Sequence, residues 1–261
     1  MVYKRSYGRS YDKIRPLKVQ YNAFGYASGN VLLSLGNTKV LCSVTLQNNV
    51  PPFLKGKKTG WLSAEYAMLP SATKQRVQRS STSAKPNGRS IEISRLIGRS
   101  LRTILNLDAI GERTIIVDCD VLQADGGTRT AAITGAYLAL KQAQEQWLAA
   151  GFIKDVFLTG AVAAISVGLL DGAPLLDIDF AEDSIIDSDF NFVLTSSGDI
   201  IEIQGTAEQK PMTWEQFEQI KDLAVSGVAQ LLEQASSPIA PTKERRQQAP
   251  LFSLANRMNK Q

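Results

Sequence analysis

Residues 114–147 read TIIVDCDVLQADGGTRTAAITGAYLALKQAQEQW and carry three signals in succession. Thr114 to Leu122 is a β-branched, apolar run of strand length, the pattern of a buried strand. Gly126-Gly127 breaks it. Thr130 to Trp147 is an Ala-rich amphipathic stretch that predicts a helix. A buried strand that feeds a helix across a glycine turn is an element of a mixed α/β chain.

Working outward, the same alternation recurs on both sides. Val31–Leu35 and Val40–Val44 are alternating strands joined through Gly36-Asn37, a hairpin signal. Trp61 to Met68 reads as a further strand, and Ile91 to Leu105 has apolar residues at helical spacing. Between them, Ser71 to Ser90 is too polar to pack, with Lys85-Pro86-Asn87-Gly88 as its breaker, and reads as an exposed loop. Downstream, Val156–Val167, Pro174–Phe180, Phe190–Leu194 and Ile200–Gln204 predict strands, with turns at Asp171-Gly172 and Ser197-Gly198. Thr213 is placed to cap a last helix running to about Glu233. The expected fold class is α/β (α+β), two βαβα-type halves packed as one compact unit. The halves are read as 1–145 and 155–235, followed by a flexible basic tail, 236–261.

Composition excludes several chemistries. With 44% hydrophobic residues among 261, the chain is globular rather than disordered, and two cysteines exclude a disulfide scaffold. No apolar run reaches the roughly 18 residues of a membrane span, and the basic start MVYKRSYGRSYDKIRP lacks the apolar stretch of a secretory signal; a cytoplasmic protein with reduced thiols is expected. There is no histidine. Ser-His-Asp and Cys-His nucleophile systems are therefore out, as is His-ligated zinc. What remains is carboxylates, arginines, hydroxyls, backbone amides and oxygen-bound metals, an inventory suited to phosphate. Cys42, Cys119, the three tryptophans and the Ala-rich helix are read as core.

Charge is unevenly divided. Residues 1–105 hold 18 Lys/Arg against Asp12, Glu65 and Glu92, a net of +15; residues 106–261 hold 11 basic and 22 acidic residues, a net of −11. From Asp155 through Gln209 there are 11 acids and no Lys or Arg. A basic half is an electrostatic footprint for a polyanion, and the acidic half is either its counter-surface or a cation site.

Three constellations carry candidate chemistry. Asp125-Gly126-Gly127-Thr128-Arg129-Thr130 joins strand to helix, where glycine amides and a helix N-terminus favour an anion, and Arg129 adds a bidentate fork. It is not a P-loop, and an ordinary turn with a solvated arginine has the same pattern. Gly88-Arg89-Ser90 opens a helix with an Arg95, Arg99, Arg102 stripe. Arg89 is placed to meet the same anion, whereas Arg102 reads better as a solvated face paired with acids of the other half. Glu182-Asp183 with Asp187 and Asp189 is a cluster without a local cation, so it is either solvated or holds a divalent metal, for which Mg²⁺ or Mn²⁺ suits an all-oxygen set.

These residues fall within an ordered set of motifs: GNTKVLC (Gly36–Cys42), Glu65-Tyr66, Met68-Leu69-Pro70, GRSIEISRLIGRSLR (Gly88–Arg102), GERTIIVDCDVLQADGGTRTAAITGA (Gly111–Ala136), DIDFAEDSIIDSDFNFV (Asp177–Val193) and IEIQGTAE (Ile201–Glu208). In this the chain resembles the bacterial ribonuclease PH family from Gly8 through Leu231. The resemblance implies a ribonuclease PH-like fold and a phosphorolytic 3′-to-5′ exoribonuclease that trims tRNA precursors. Inorganic phosphate is then the attacking co-substrate, nucleoside diphosphates are released, and the reverse reaction adds nucleotides. It also implies a phosphate site at Arg89, Gly127, Thr128 and Arg129, and catalytic and Mg²⁺-binding aspartates at Asp183 and Asp189. RNA contacts are expected from Arg76 and Arg79 in the loop and from Arg95 and Arg99. The implied assembly is a homohexamer, a trimer of dimers.

The implied chemistry agrees with the inventory. Phosphorolysis needs no protein nucleophile. It needs an anion cradle and a cation to offset charge on the scissile group. The leaving 3′-oxygen takes a proton from Asp183 or from a metal-bound water. The chain also departs from the family pattern. Ser71 stands where an arginine usually follows the MLP, and Ser80 stands where an acid is usual, so weaker RNA contacts in this loop are expected. The tail beyond Ser236 adds Lys243, Arg245, Arg246, Arg257 and Lys260. The alternatives are an inactive RNA-binding ring subunit, a hydrolytic metal-dependent nuclease and a purely structural ring component. Intact Arg89, Arg129, Asp183 and Asp189 favour the active enzyme.

Overall fold

A computed structural model of the chain describes residues 4–23, 25–79 and 87–236. Ser80, the Lys85-Pro86 part of the expected breaker and the tail cations lie outside the described residues.

The first half builds a five-stranded sheet from β1 (Leu17–Tyr21), β2 (Gly29–Leu35), β3 (Thr38–Gln47), β4 (Trp61–Met68) and β5 (Thr114–Gln123), in the order β1-β2-β3-β5-β4. Neighbours are antiparallel except β4 and β5, which run parallel from Trp61 beside Thr114 to Met68 beside Val121. Parallel neighbours require a crossover, and α1 (Gly88–Arg102) supplies it. β1 is not among the expected strands, although Leu17, Val19 and Tyr21 do alternate with exposed Lys18 and Gln20. Helix α1 starts earlier than its apolar spacing suggests, because the Asn87 side chain accepts from the Arg89 amide and caps it there.

The second half is a four-stranded antiparallel sheet of β6 (Val162–Leu170), β7 (Ala173–Leu176), β8 (Ser188–Thr195) and β9 (Ile200–Ala207), ordered β7-β6-β8-β9. Two expected strands are shorter than read. The Val156–Val167 run becomes regular only at Val162, since Val156 is exposed and Leu158 makes just an isolated bridge to Leu105. The Pro174–Phe180 run stops at Leu176. Asp177 then takes a positive φ of 53°, and Asp179 caps a single turn, α3 (Phe180–Asp183), so Phe180 is helical.

The two sheets share one core through α2 (Thr128–Ala149). This helix packs against β2 and β3 of the first sheet and β6 of the second. Burial on nearly every side explains its small residues: a Cβ at Gly135 would sit 2.7 Å from Cys42 Sγ. Across β6, Ile165 faces Gly227 of α4 (Trp214–Ser236), while Ser166 faces Gly127 at the start of α2. The strand is therefore sandwiched, and its apolar run is continuous rather than alternating. Cys42 and Cys119 are buried free thiols in register across β3 and β5. The tryptophans divide: Trp147 is core, Trp61 is half-buried, and Trp214 is 81% exposed, which corrects its assignment to the core.

Candidate active site

A cleft of about 1690 Å³ opens between the halves. The first half contributes β4, the start of α1 and the glycine turn that begins α2. The second contributes α3, β8 and the residues just after β9.

The glycine turn is held from below. Arg15 is completely buried and grips Asp177 through Nε (2.9 Å) and Nη2 (2.7 Å), while Nη1 donates to the Asp125 carbonyl (2.6 Å). The Thr38 hydroxyl donates to the Gly126 carbonyl at 2.6 Å. The two glycines are required for different reasons. Gly126 has φ +79°, and a Cβ there would lie 2.6 Å from the backbone carbon of Asp179; it is glycine because the turn is pressed against the acidic segment of the second half. Gly127, with φ +63°, is the N-cap of α2 and makes no side-chain cap bond. The first amides of α2 therefore have no side-chain acceptor at the N-cap, an arrangement suited to an anion. Thr128 accepts a hydrogen bond from the buried Tyr66 phenol at 2.9 Å.

Arg129 is oriented by β9, with Nη1 donating to Gln204 Oε1 at 3.0 Å and lying 3.9 Å from Glu92. Arg89 and Arg95 line the cleft from α1. Arg99 points elsewhere, pairing with Glu202 at 2.7 Å. Arg102 does not make the expected pair with acids of the other half. Instead it stacks on Trp61, 4.6 Å from the ring centroid, and donates to the Leu62 carbonyl. Within this arginine stripe, the ion pair to the other half is thus made by Arg99. Arg76 and Arg79 lie exposed on the loop after β4, whose base is tied to the glycine turn where the Ala124 amide donates to the carbonyl of buried Ala72.

The acidic cluster separates into two kinds of carboxylate. Glu182 is wholly buried and bonded to Arg5 and Arg9, and Asp187 is nearly buried, accepting from the Asp171 amide with Lys210 3.5 Å away. Neither lines the cleft, so the cations missing from this stretch of sequence are supplied mostly by the N-terminal segment. Asp183 and Asp189 do line it, with Glu208 beside them. Burial pushes the Asp183 carboxyl up, Glu208 adds to the shift, and Arg89 and Arg129 oppose it. Asp189 is raised by burial, then by Asp183 and Glu208. Their mutual influence places the arginines and the aspartate pair in one electrostatic neighbourhood. Among the described residues no group of three or more carboxylates or thiols forms a metal cluster. A two-carboxylate pair still fits Mg²⁺, which usually takes one or two carboxylates and completes its shell with water and substrate phosphate. A cation there would also relieve the crowding that raises both carboxyls.

Sequence reading assigns no site role to Tyr66, Gln204 or Glu208. All three lie in quoted motifs, but a residue that orients another across the chain carries no local signature.

A helix start suited to an anion, gathered with two arginines and a carboxylate pair in one cleft, is the arrangement of a phosphate-handling enzyme built from two α+β halves. Residues 13–145 match the model of the 3′ exoribonuclease family, domain 1, and residues 160–227 match domain 2 of the same family. The chain belongs to this family. It is 47% identical over 232 residues to ribonuclease PH of Neisseria meningitidis serogroup C, covering 89% of this chain and 96% of the relative, and equally identical to that of serogroup B. Its fold is shared with rice (Oryza sativa) Rrp46 (TM-score 0.71, 19% identity, 89% of this chain and 99% of that one). It is shared too with a subunit of the Archaeoglobus fulgidus exosome with RNA bound to the active site (TM-score 0.74, 20% identity, 88% and 92%).

Proposed function

We propose that this protein is a phosphorolytic 3′-to-5′ exoribonuclease, a tRNA nucleotidyltransferase that trims tRNA precursors and releases nucleoside diphosphates. The observation that carries the reading is that one cleft gathers the α2 start, Arg89 and Arg129 with Asp183 and Asp189, close enough for both arginines to act on the Asp183 carboxyl. Inorganic phosphate binds to the Gly127, Thr128 and Arg129 turn and to Arg89. These groups hold one anion against the repulsion of the diester it attacks. Positioned this way, phosphate itself is the nucleophile, which accounts for the absence of His and of a reactive Cys.

Asp183 and Asp189 are the catalytic pair and would hold Mg²⁺, with Mn²⁺ as substitute; when bound, the metal offsets charge on the scissile group. Arg76 and Arg79 receive the RNA backbone from the loop, and Arg95 receives it inside the cleft. Arg99, engaged by Glu202, contributes once that exposed pair opens. The first half (1–145) is the phosphate and RNA side, and the second (155–235) is the metal side. We place the enzyme in the cytoplasm as a homohexamer, a trimer of dimers; no helix of the described residues is long and apolar enough to cross a membrane.

The test is a product assay on tRNA carrying a short 3′ extension labelled in its last nucleotide, with Mg²⁺, with and without inorganic phosphate. Labelled nucleoside diphosphate that forms only with phosphate is the expected result. Monophosphate in both tubes means hydrolysis and overturns the reading.

A further inference from the structure

Asp183 ends a helix of only four residues, too short to persist through its own hydrogen bonds. A capping box closes it: Asp179 Oδ1 accepts from the Ala181 and Glu182 amides at 3.0 Å, and Glu182 Oε2 accepts in return from the Asp179 amide at 3.0 Å. In an ordinary surface helix the glutamate of such a box faces water. Here Glu182 is wholly buried, and what fixes it comes from the opposite end of the chain.

Arg5 Nε donates to Glu182 Oε1 at 2.7 Å, Arg5 Nη2 to Oε2 at 2.9 Å, and Arg9 Nη2 to Oε2 at 2.9 Å. The rest of the Arg5 fork is also engaged. Nη1 donates to the Ser10 and Tyr11 carbonyls, both at 3.1 Å, and Nη2 to Leu176 at 2.7 Å. All five N–H groups of Arg5 thus have acceptors. Arg9 Nη1 donates to the Asp177 carbonyl at 2.6 Å, so both arginines also grip the backbone that leads into α3.

We propose that Arg5, seconded by Arg9, is a positioning residue for the reaction: the N-terminal segment clamps Glu182 and thereby sets the turn that presents Asp183 to the cleft. The clamp lies outside the cleft, which neither arginine lines. It acts through the neighbour of a catalytic residue, and this inference rests on the role assigned above to Asp183. A lysine at position 5 keeps the charge and loses the planar fork, so it should retain only part of the effect.

The experiment compares full-length wild type with Arg5→Ala, Arg5→Lys and Asp183→Asn. It measures kcat and phosphate KM on the extended tRNA, and amide hydrogen exchange along the chain. Arg5→Ala should lower kcat by about 10²-fold, the scale of a misplaced catalytic group, with phosphate KM within about twofold of wild type. Amide exchange should accelerate at 179–184 and stay unchanged in β8, and Arg5→Lys should fall between. If the alanine variant does not fold, the lysine variant carries the same test, since a KM-neutral fall in kcat with exchange confined to 179–184 is expected of it too. Exchange at 179–184 that matches wild type, or kcat and KM failing together with exchange faster throughout, overturns the clamp. Faster exchange at 179–184 with undiminished kcat also overturns it, provided Asp183→Asn is inactive. Full activity in Asp183→Asn instead overturns the role of Asp183, and the exchange pattern then judges the clamp alone.

Discussion

Arg15 and Asp177 permit a quantitative test of what joins the glycine turn to the second half. Both side chains are wholly buried and face each other in a bidentate pair, and the Arg15 amide adds a third bond to Asp177 Oδ2 at 2.7 Å. Arg15→Met keeps most of the side-chain length and removes the fork. It leaves Asp177 with the Arg15 amide and an Arg9 Nη1 3.8 Å away, and it releases the Asp125 carbonyl. Breaking a buried ion pair from one side costs about 3–5 kcal/mol, because the remaining charge stays dehydrated. At roughly 2–4 °C per kcal/mol for a chain somewhat smaller than this one, the expected fall in Tm is on the order of 6–20 °C. Asp177→Leu should cost a similar amount by stranding Arg15. The double variant Arg15→Met/Asp177→Leu removes both charges and should recover much of the loss, with a coupling energy of about 2 kcal/mol or more. Urea or thermal unfolding of the four proteins closes the cycle. Single variants that each lose under about 1 kcal/mol, or losses that simply add, would refute the idea that this pair ties the turn to the acidic segment.

Arg89→Ala should raise phosphate KM about tenfold to a hundredfold, the worth of one charge-assisted hydrogen bond, while tRNA binding measured by filter retention stays near wild type. Because burial and crowding raise Asp183 and Asp189 in the metal-free protein, protons compete with the cation there, and Mg²⁺ binding followed by calorimetry should weaken on acidification at a pH above the ordinary carboxylate range. Removing a like charge lowers both carboxyls, so Glu208→Gln should move that weakening to lower pH; a weakening that stays in place or moves upward refutes the assignment. For the loop, the double variant Arg76→Ala/Arg79→Ala should weaken tRNA binding without altering phosphate KM. It should reduce the slope of log affinity against log salt by about 0.7 for each single-strand phosphate that is no longer neutralised. An unchanged slope means that the two arginines do not meet phosphates.

Legibility follows the range of the physical signal. The 114–147 stretch is readable because strand period, glycine turn and helix composition all act within a few residues. The end of β7 is not, because the run to Phe180 is apolar enough for a strand. Only the positive φ at Asp177 and the Asp179 cap divert it into α3. Residue type alone assigns Trp214 to the core, yet it starts α4 in the open, and nothing in the local pattern distinguishes it from Trp147.

The site divides along the same line. Arg89 and the Gly127-Thr128-Arg129 turn stand out in the sequence because glycines and helix starts are local chemical signals, whereas Asp183 and Asp189 belong to a cluster of four acids from which only the family resemblance singles them out. The sequence shows that eleven acids stand without a neighbouring cation, but not which of them are compensated at a distance. Tertiary structure decides that: Arg5, Arg9 and Arg15 cross to Glu182 and Asp177, leaving Asp183 and Asp189 for the cleft. It also decides that Gly126 is needed for its close approach to the Asp179 backbone, and that Arg99 rather than Arg102 pairs across the halves. The reason is common to all three. Charge compensation and close packing depend on distance in space, and sequence separation says little about that once the chain has folded back on itself.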